Sequence, residues 1–487
     1  MSASSPSAPA ARWQLEHSYA QLPDLFHTRT LPSPVRHPQL VAFNAPLAAA
    51  LGLPSDLAAP PANAALFTGN QLPPGAQPLA QAYAGHQFGH FAVLGDGRAI
   101  LLGEQIAPTG QRFDIQLKGA GLTPFSRGGD GRAALGPMLR EYLISEAMHA
   151  LAIPTTRSLA VASTGETVAR RHPLPGAVLT RVASSHLRVG TFQWAAAQGD
   201  PAALQALADY AIQRHYPEVA AAENPYHAFL LAVISRQAAL IAQWMLAGFV
   251  HGVMNTDNMA ISGETIDYGP CAFLDAYDPA TVFSSIDHQG RYAYAQQPLA
   301  AQWNLARFAE TLLPLLHPQE NQALELAQAA IQAFPALAQS HRLAGFRKKL
   351  GLFNEATEDA ALAEDLLSWM HLRQADYTHT FRTLHLLAPL PDPTFALWHQ
   401  RWAARLTRQP QSPAASQQRR DAANPAFIPR NHLVEAALAA AADQGDFAPF
   451  HRLAAVLAQP FAPPETHPTY SAPPTPPSCP YQTFCGT

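Results

Sequence analysis

Between residues 226 and 247 the large apolar side chains Phe229, Leu230, Val233, Ile234, Leu240, Ile241, Trp244 and Met245 recur at the spacing of a helix. Gly248 follows them as a natural stop, because glycine accepts the left-handed conformation of a helix C-cap. Residues 134–153 show a second helical face in Leu135, Met138, Leu139, Tyr142, Leu143 and Ala147. After Tyr294 the 3.6-residue period dominates, predicting helices over 301–316, 319–333, 336–350, 358–375, 393–408 and 433–442. Residues 46–51 suit a short helix with its proline in the first turn.

Alternation takes over between residues 83 and 181. Residues 113–118, Phe-Asp-Ile-Gln-Leu-Lys, form an alternating strand that ends on Lys118, and 177–180 form another that ends on Arg181. Gly95-Asp96-Gly97 predicts a tight turn pairing 91–94 with 99–102. A second small hairpin is expected from 259–261 and 265–266 across Ser262-Gly263-Glu264. Loops are expected at 54–78 and 409–432, extended chain at 460–480, and a frayed tail at 1–11. The class is therefore α+β. Residues 1–82 read as an N-terminal extension, 83–190 as a strand-rich lobe, 191–458 as a helical lobe and 459–487 as a proline-rich tail.

Composition narrows the function classes. An apolar fraction of 48% with only 14% charged residues gives a large buried core and excludes disorder. A net charge of −4 and a pI of about 6.6 make nucleic acid or an anionic membrane surface poor partners. No run of 18 apolar residues occurs, so no membrane span is expected, and 1–11 lack the apolar centre of a signal peptide. Cys271, Cys479 and Cys485 are too few for a disulfide scaffold and fit a reducing compartment. A soluble cytoplasmic protein is expected.

Candidate chemistry collects in two places. Asp257, Asn258 and Asp267 stand at the two ends of the expected 259–266 hairpin, and their oxygens suit a hard cation such as Mg²⁺. Lys118 is one of three lysines among 31 basic residues, which marks a position needing a compact point charge. Glu141, on the 134–153 helix, is the expected partner of that lysine, with Glu146 second; a plain surface ion pair is the alternative. From Lys118 to Arg188 nine Lys/Arg face four Asp/Glu, a local cationic excess suited to polyphosphate. Any one of these arginines could equally be a solvated surface residue.

The layout resembles protein kinases, which carry His-x-Asp with a later Asn, then Asp-Phe-Gly, and a strand lysine paired with a helix glutamate. His251 and Asn258 keep that spacing and Asp267-Tyr268-Gly269 stands for the metal motif. The kinase catalytic aspartate, however, is replaced by Val253. A kinase or small-molecule phosphotransferase, a silent nucleotide-binding scaffold, and an enzyme that uses Asp257 for other chemistry all remain open on these residues.

Over nearly its whole length the chain resembles the selenoprotein O family, the YdiU-type protein adenylyltransferases. The residues that carry this resemblance are 83–104, 114–166, 248–275, Asp287-His-Gln-Gly-Arg-Tyr and Asn431-His-Leu-Val-Glu. The resemblance implies a kinase-like two-lobed fold that transfers AMP from ATP, or UMP from UTP, to protein Ser, Thr or Tyr hydroxyls, with the nucleotide flipped. It implies Asp257 as proton acceptor and Asn258 and Asp267 as Mg²⁺ or Mn²⁺ ligands. Nucleotide contacts would fall on Gly95, Gly97, Arg98, Lys118, Asp130, Gly131, Arg181, Arg188 and Asp267, with Glu141 positioning Lys118. The chain departs from the pattern at its C-terminus, where some members carry selenocysteine and this one ends Phe484-Cys485-Gly486-Thr487. Redox control through Cys479 or Cys485, or two inert thiols, both fit.

Overall fold

The computed structural model describes residues 12–59, 63–387, 392–474 and 481–484. The tail at 1–11 and both Cys479 and Cys485 lie outside these.

Alternation along the strands builds one sheet between two cores. In strand Ala99–Ile106, Ile100 and Leu102 enter one core and Leu101 the other; in Pro173–Ala183, Val178 and Val182 enter the first, Ala177 and Leu179 the second. Among the described residues nine strands share this antiparallel sheet. The path runs His27–Arg29, Leu79–Gln81, Ala99–Ile106, Arg112–Lys118, Pro173–Ala183, Arg157–Ala169, Gln39–Phe43, with Leu15–Glu16 and Ala133–Ala134 paired at its side. Four of the nine strands thus come from residues before 83. The smaller core lies under Leu47, Leu51, Leu57 and Phe67; the larger continues through helix Leu135–Ala150 into the helical body. The α+β class is observed.

Helix Pro225–Ala247 forms as the period predicts. Asn224 caps it by accepting from the His227 N–H at 3.0 Å, and Gly248 ends it at φ 72°. By length and mean hydropathy, 1.5, this helix could cross a membrane, but 61% of its most apolar window is buried against the rest of the protein. It packs on Gln297–Leu316 and Glu320–Lys349.

Several local expectations are corrected. The 91–94 and 99–102 runs do not pair. His90–Val93 folds back on Ala84–Gln87 across Phe88-Gly89, both at positive φ, while Ala99–Ile106 pairs with Arg112–Lys118. Asp96 is drawn inward, accepting from Gln81 N at 3.2 Å and Gln116 Nε2 at 3.0 Å, so the glycine turn is a crossing between two sheets. Nor do 259–261 and 265–266 pair with each other: Ala260 bridges Arg188 and Thr265 bridges Thr155, which ties this loop to the strand region.

Pro335 does not break its helix. Glu320–Lys349 is continuous, because the buried stripe Ala323, Ala327, Ala330, Phe334 and Ala338 runs on across the proline, and its packing outweighs a cost of about 3 kcal/mol. The 409–432 loop contains helix Pro413–Ala423, capped by Ser412, and the 54–78 loop contains Ala64–Thr68 with Phe67 buried. In 460–474 the chain coils briefly at Pro464–Thr466 and Pro468–Ser471 rather than staying extended; 475–480 are not described.

The segment that follows the candidate metal motif is anchored by Arg430. This buried guanidinium donates to Asp275 Oδ1 at 2.9 Å and to Asp376 Oδ2 at 2.5 Å. Arg430→Met leaves two carboxylates facing each other without their cation. Urea denaturation should show a loss of about 3–5 kcal/mol, the range for breaking a buried ion pair.

Candidate active site

The sheet delivers its charges to one face. In Arg112–Lys118, Ile115 and Leu117 enter the small core, so Asp114, Gln116 and Lys118 point the opposite way. Arg181 is the direct cross-strand neighbour of Gln116, and Leu179 that of Lys118. Arg181 donates to Gln116 Oε1 through Nε at 3.2 Å and Nη2 at 2.6 Å, and Gln116 Nε2 donates in turn to the buried Asp96. This fork fixes the Arg181 plane and leaves Nη1 aimed across the cleft.

That atom meets Asp267. The Asp267 carboxylate receives Lys118 Nζ at 2.6 Å, Arg181 Nη1 at 2.7 Å and Arg188 Nη1 at 3.0 Å. Lys118 also donates to Glu141 Oε2 at 2.6 Å. With Lys118 8% and Glu141 3% exposed, the surface-pair alternative falls. Burial opposes ionisation of Asp267, but the three cations outweigh it and hold its carboxyl well below the usual range. Asp267 itself sits at φ 64°, a left-handed conformation a non-glycine residue adopts only when its surroundings enforce it.

Arg188 caps helix Val189–Ala197 and lies over the Tyr83 ring at 4.5 Å. Its second bond, from Nη1 to the Asp257 carbonyl at 2.9 Å, links the metal motif to the loop at 251–258. His251 shapes that loop: its Nε2 is 2.9 Å from the Ile266 carbonyl, and its ring stacks on Trp244. Asn258 donates through Nδ2 to the Val253 carbonyl at 3.0 Å, which leaves its side-chain oxygen for another partner.

Asp257 is buried, and its Oδ1 has no hydrogen-bond partner among the described residues. Burial pushes its carboxyl up to about 6, against the opposing pull of Arg188. Asp96 is likewise raised by burial to about 6, with Arg188 and Arg181 opposing. A carboxylate with a pKa near neutral, desolvated and partly unpaired, is suited to accept a proton.

The hairpin Ala84–Val93 is pressed onto this loop. His86 N donates to Thr256 Oγ1 at 2.7 Å and Phe88 N to Asn255 Oδ1 at 3.0 Å. A Cβ on Gly85 would stand 2.5 Å from Asp257 Oδ1, and one on Gly190 would stand 2.1 Å from the Ala84 carbonyl oxygen. Two glycines therefore permit the close approach that buries Asp257.

The twelve residues to which the resemblance gives a site role line one cleft of about 570 Å³: Gly95, Gly97, Arg98, Lys118, Asp130, Gly131, Glu141, Arg181, Arg188, Asp257, Asn258 and Asp267; Glu146, the second choice beside Lys118, is instead bound to Arg157 at 2.6 Å. Their states differ. Arg181 and Arg188 are buried, not solvated. Asp130 is bound to Arg170 at 2.8 Å, and Arg98 is half-buried without a side-chain hydrogen bond among the described residues. At Gly95 and Gly97 the close neighbour is Phe125, whose ring and carbonyl would clash with an added Cβ.

Sequence reading missed Gln116, Asp96, Gly85 and Gly190. Gln116 could have been found, since it alternates in phase with Lys118; Asp96 was hidden inside a turn signal, and nothing local marks the two glycines. Among the described residues no three His, Cys, Asp or Glu side chains converge on a metal. Asn258 and Asp267 offer oxygen only, a donor set that fits a hard cation completed by phosphate oxygens.

A family profile described as "Protein adenylyltransferase SelO" matches residues 9–458. Among curated proteins, "Protein nucleotidyltransferase YdiU" of Alkaliphilus metalliredigens is 60% identical over 480 residues, covering 98% of both chains. The proteins of the same description from Syntrophotalea carbinolica and Brevibacillus brevis are 58% and 60% identical, again over 98% of both chains.

Gly85→Ala tests the close approach at Asp257. The added methyl must push the hairpin off the loop, so a cooperative thermal transition should persist at a lower midpoint while catalysed turnover drops about tenfold or more. Unchanged turnover would show that the packing at Gly85 does not shape the site.

Proposed function

The chain belongs to the SelO family of protein adenylyltransferases, and from that premise we propose that it transfers AMP from ATP to Ser, Thr or Tyr hydroxyls of proteins, with UTP as a second nucleotide donor. The observation that carries this reading is the pairing of a desolvated, half-unpartnered Asp257 with the Lys118–Arg181–Arg188 cluster around Asp267. One group accepts a proton; the other neutralises phosphate charge.

In the proposed reaction the acceptor hydroxyl attacks the α-phosphorus and passes its proton to Asp257. The bond from the α-phosphorus to the α,β-bridging oxygen breaks and pyrophosphate leaves. Lys118, Arg181, Arg188 and Arg98 would stabilise the charge growing on that leaving group. Placing the β- and γ-phosphates among these cations is the flipped orientation. The adenosine end, which carries no charge, has no need of such a cluster. Gly95, Gly97, Asp130 and Gly131 would form the rest of the nucleotide contact. Asn258 and Asp267 would hold Mg²⁺ or Mn²⁺, which when bound supplies Lewis-acid polarisation of phosphate oxygens. Glu141 keeps Lys118 in place.

This reading includes a kinase-like two-lobed arrangement, supported by the His251, Asn258 and Asp267 spacing; residues 83–190 and 191–458 would supply its lobes, with the four strands before residue 83 joining the first because they share its sheet. Val253 where a kinase has its catalytic aspartate supports chemistry other than γ-transfer. A cytoplasmic location accords with the few cysteines.

Protein incubated with Mg²⁺ and ATP should take up label from the α-phosphate and none from the γ-phosphate; γ-label alone would make the chain a kinase. The specificity constant kcat/KM should rise with pH through about 6 and then level off, because below that value Asp257 of the free enzyme is protonated and cannot accept. Asp257→Asn should remove that limb and lower turnover roughly 10²–10⁴-fold, the usual range for a lost general base, while ATP affinity measured by calorimetry stays close to wild type.

A further inference from the structure

Strand His90–Val93 is an edge. Its partners in the hairpin are Ala84 opposite Val93, Gly85 opposite Ala92, His86 opposite Phe91 and Gln87 opposite His90. Ala84 and His86 turn their backbone groups away from the hairpin: the Ala84 carbonyl lies against Gly190, and the His86 N–H bonds Thr256. Antiparallel ladders alternate bonded and open pairs, so Ala84/Val93 and His86/Phe91 are open pairs. The N–H and C=O groups of Phe91 and Val93 therefore point outward from the free side, and none of them meets a partner among the described residues. Both side chains are exposed, at 49% and 54%.

An edge of this kind templates an extended peptide. It runs along the rim of the cleft. Gln87 and Phe88 at one end, and Gly95 to Arg98 at the other, line the cleft, and the inner strand touches Asp257 at Gly85. A cation stands at the hairpin tip. The Arg291 guanidinium packs against Gly89 and over the Trp303 ring at 4.8 Å, and forms no ion pair among the described residues. Trp303 meets His86, and His86 meets Phe91, each at 5.3 Å between ring centres, so Arg291 and the edge belong to one surface.

We propose that His90–Val93 is the docking edge for the protein substrate, and that it takes an extended segment which pairs with Phe91 and Val93 and sets an acidic side chain on Arg291. The proposal rests on the protein-nucleotidyltransferase reading above. Neighbouring strands lie about 4.8 Å apart, so the docked segment runs two such spacings from the inner strand that touches Asp257, and it is the residues beyond it that turn into the cleft and bring the acceptor hydroxyl there.

The test uses fluorescent synthetic peptides with alternating Val and Thr, an Asp at one end and a Ser beyond it, bound to full-length Asp257→Ala protein and read by anisotropy. N-methylation of every second amide should weaken binding about tenfold in one phase and leave the other phase unaffected, as expected for the loss of two backbone hydrogen bonds. Phe91→Lys/Val93→Lys should weaken binding comparably with ATP affinity unchanged, and Arg291→Ala should erase the preference for Asp over Asn. No binding of any peptide, equal effects of the two methylation phases, or unchanged binding by the double-lysine protein would overturn the proposal. So would dissociation of a dimer by that variant in sedimentation, since the edge would then belong to a second copy. If edge-dependent binding holds but the wild-type protein puts no α-label on the peptide, docking stands and the nucleotidyl reading falls.

Discussion

One carboxylate holds the site together. Asp267 binds Lys118 from the end of one strand, Arg181 from near the end of its neighbour and Arg188 from the cap of a helix. Each of these cations is buried, and a buried cation without a counter-charge costs several kcal/mol. The cluster is stable only while the segments converge. The left-handed backbone at Asp267 is a consequence: the surroundings over-determine its position, and the strain is held by three charge-assisted bonds.

The rest of the cleft follows from that centre. Arg181 can reach Asp267 because Gln116 holds its other nitrogens, and Gln116 is held by Asp96 from the glycine crossing. Arg188 then passes the constraint to the 251–258 loop through the Asp257 carbonyl. The loop is closed from the other side by hairpin Ala84–Val93, which removes water from Asp257 and raises its affinity for a proton. Phosphate binding and proton acceptance are thus set by one connected network, in which burial raises both carboxyls, three cations overcome it at Asp267, and Arg188 is the cation that opposes it at Asp257.

Long apolar faces made several helices legible, as in Pro225–Ala247, although Pro201–His215, with Leu204, Leu207, Ala208, Ala211 and Ile212 buried along one face, went unread. They were misread where a local breaker met long-range packing, as at Pro335, or where a polar run such as Pro413–Ala423 was stabilised by Ser412 and a partly buried face. Strand pairing was less legible. Gly95-Asp96-Gly97 looks like a hairpin turn from either side, and nothing in those residues says that Asp96 will bond Gln81 and Gln116 instead of facing solvent. The 259–266 run failed for the same reason, since its backbone partners, Arg188 and Thr155, lie more than seventy residues away.

By itself the sequence determined the chemistry available to the protein: a lone strand lysine, a helix glutamate, a cationic run from 118 to 188, an Asp257–Asn258 pair and an Asp267 set apart by a short loop. Residue identity and short-range spacing fix these, because they depend on side-chain type and on local periodicity. Only the tertiary structure decided how charge is shared. That Asp267 serves three cations, that Asp257 keeps a bare oxygen in a desolvated niche, and that Gly85 and Gly190 make room for it are properties of surfaces brought together from distant segments. Burial and close approach, unlike periodicity, have no local signature in the chain.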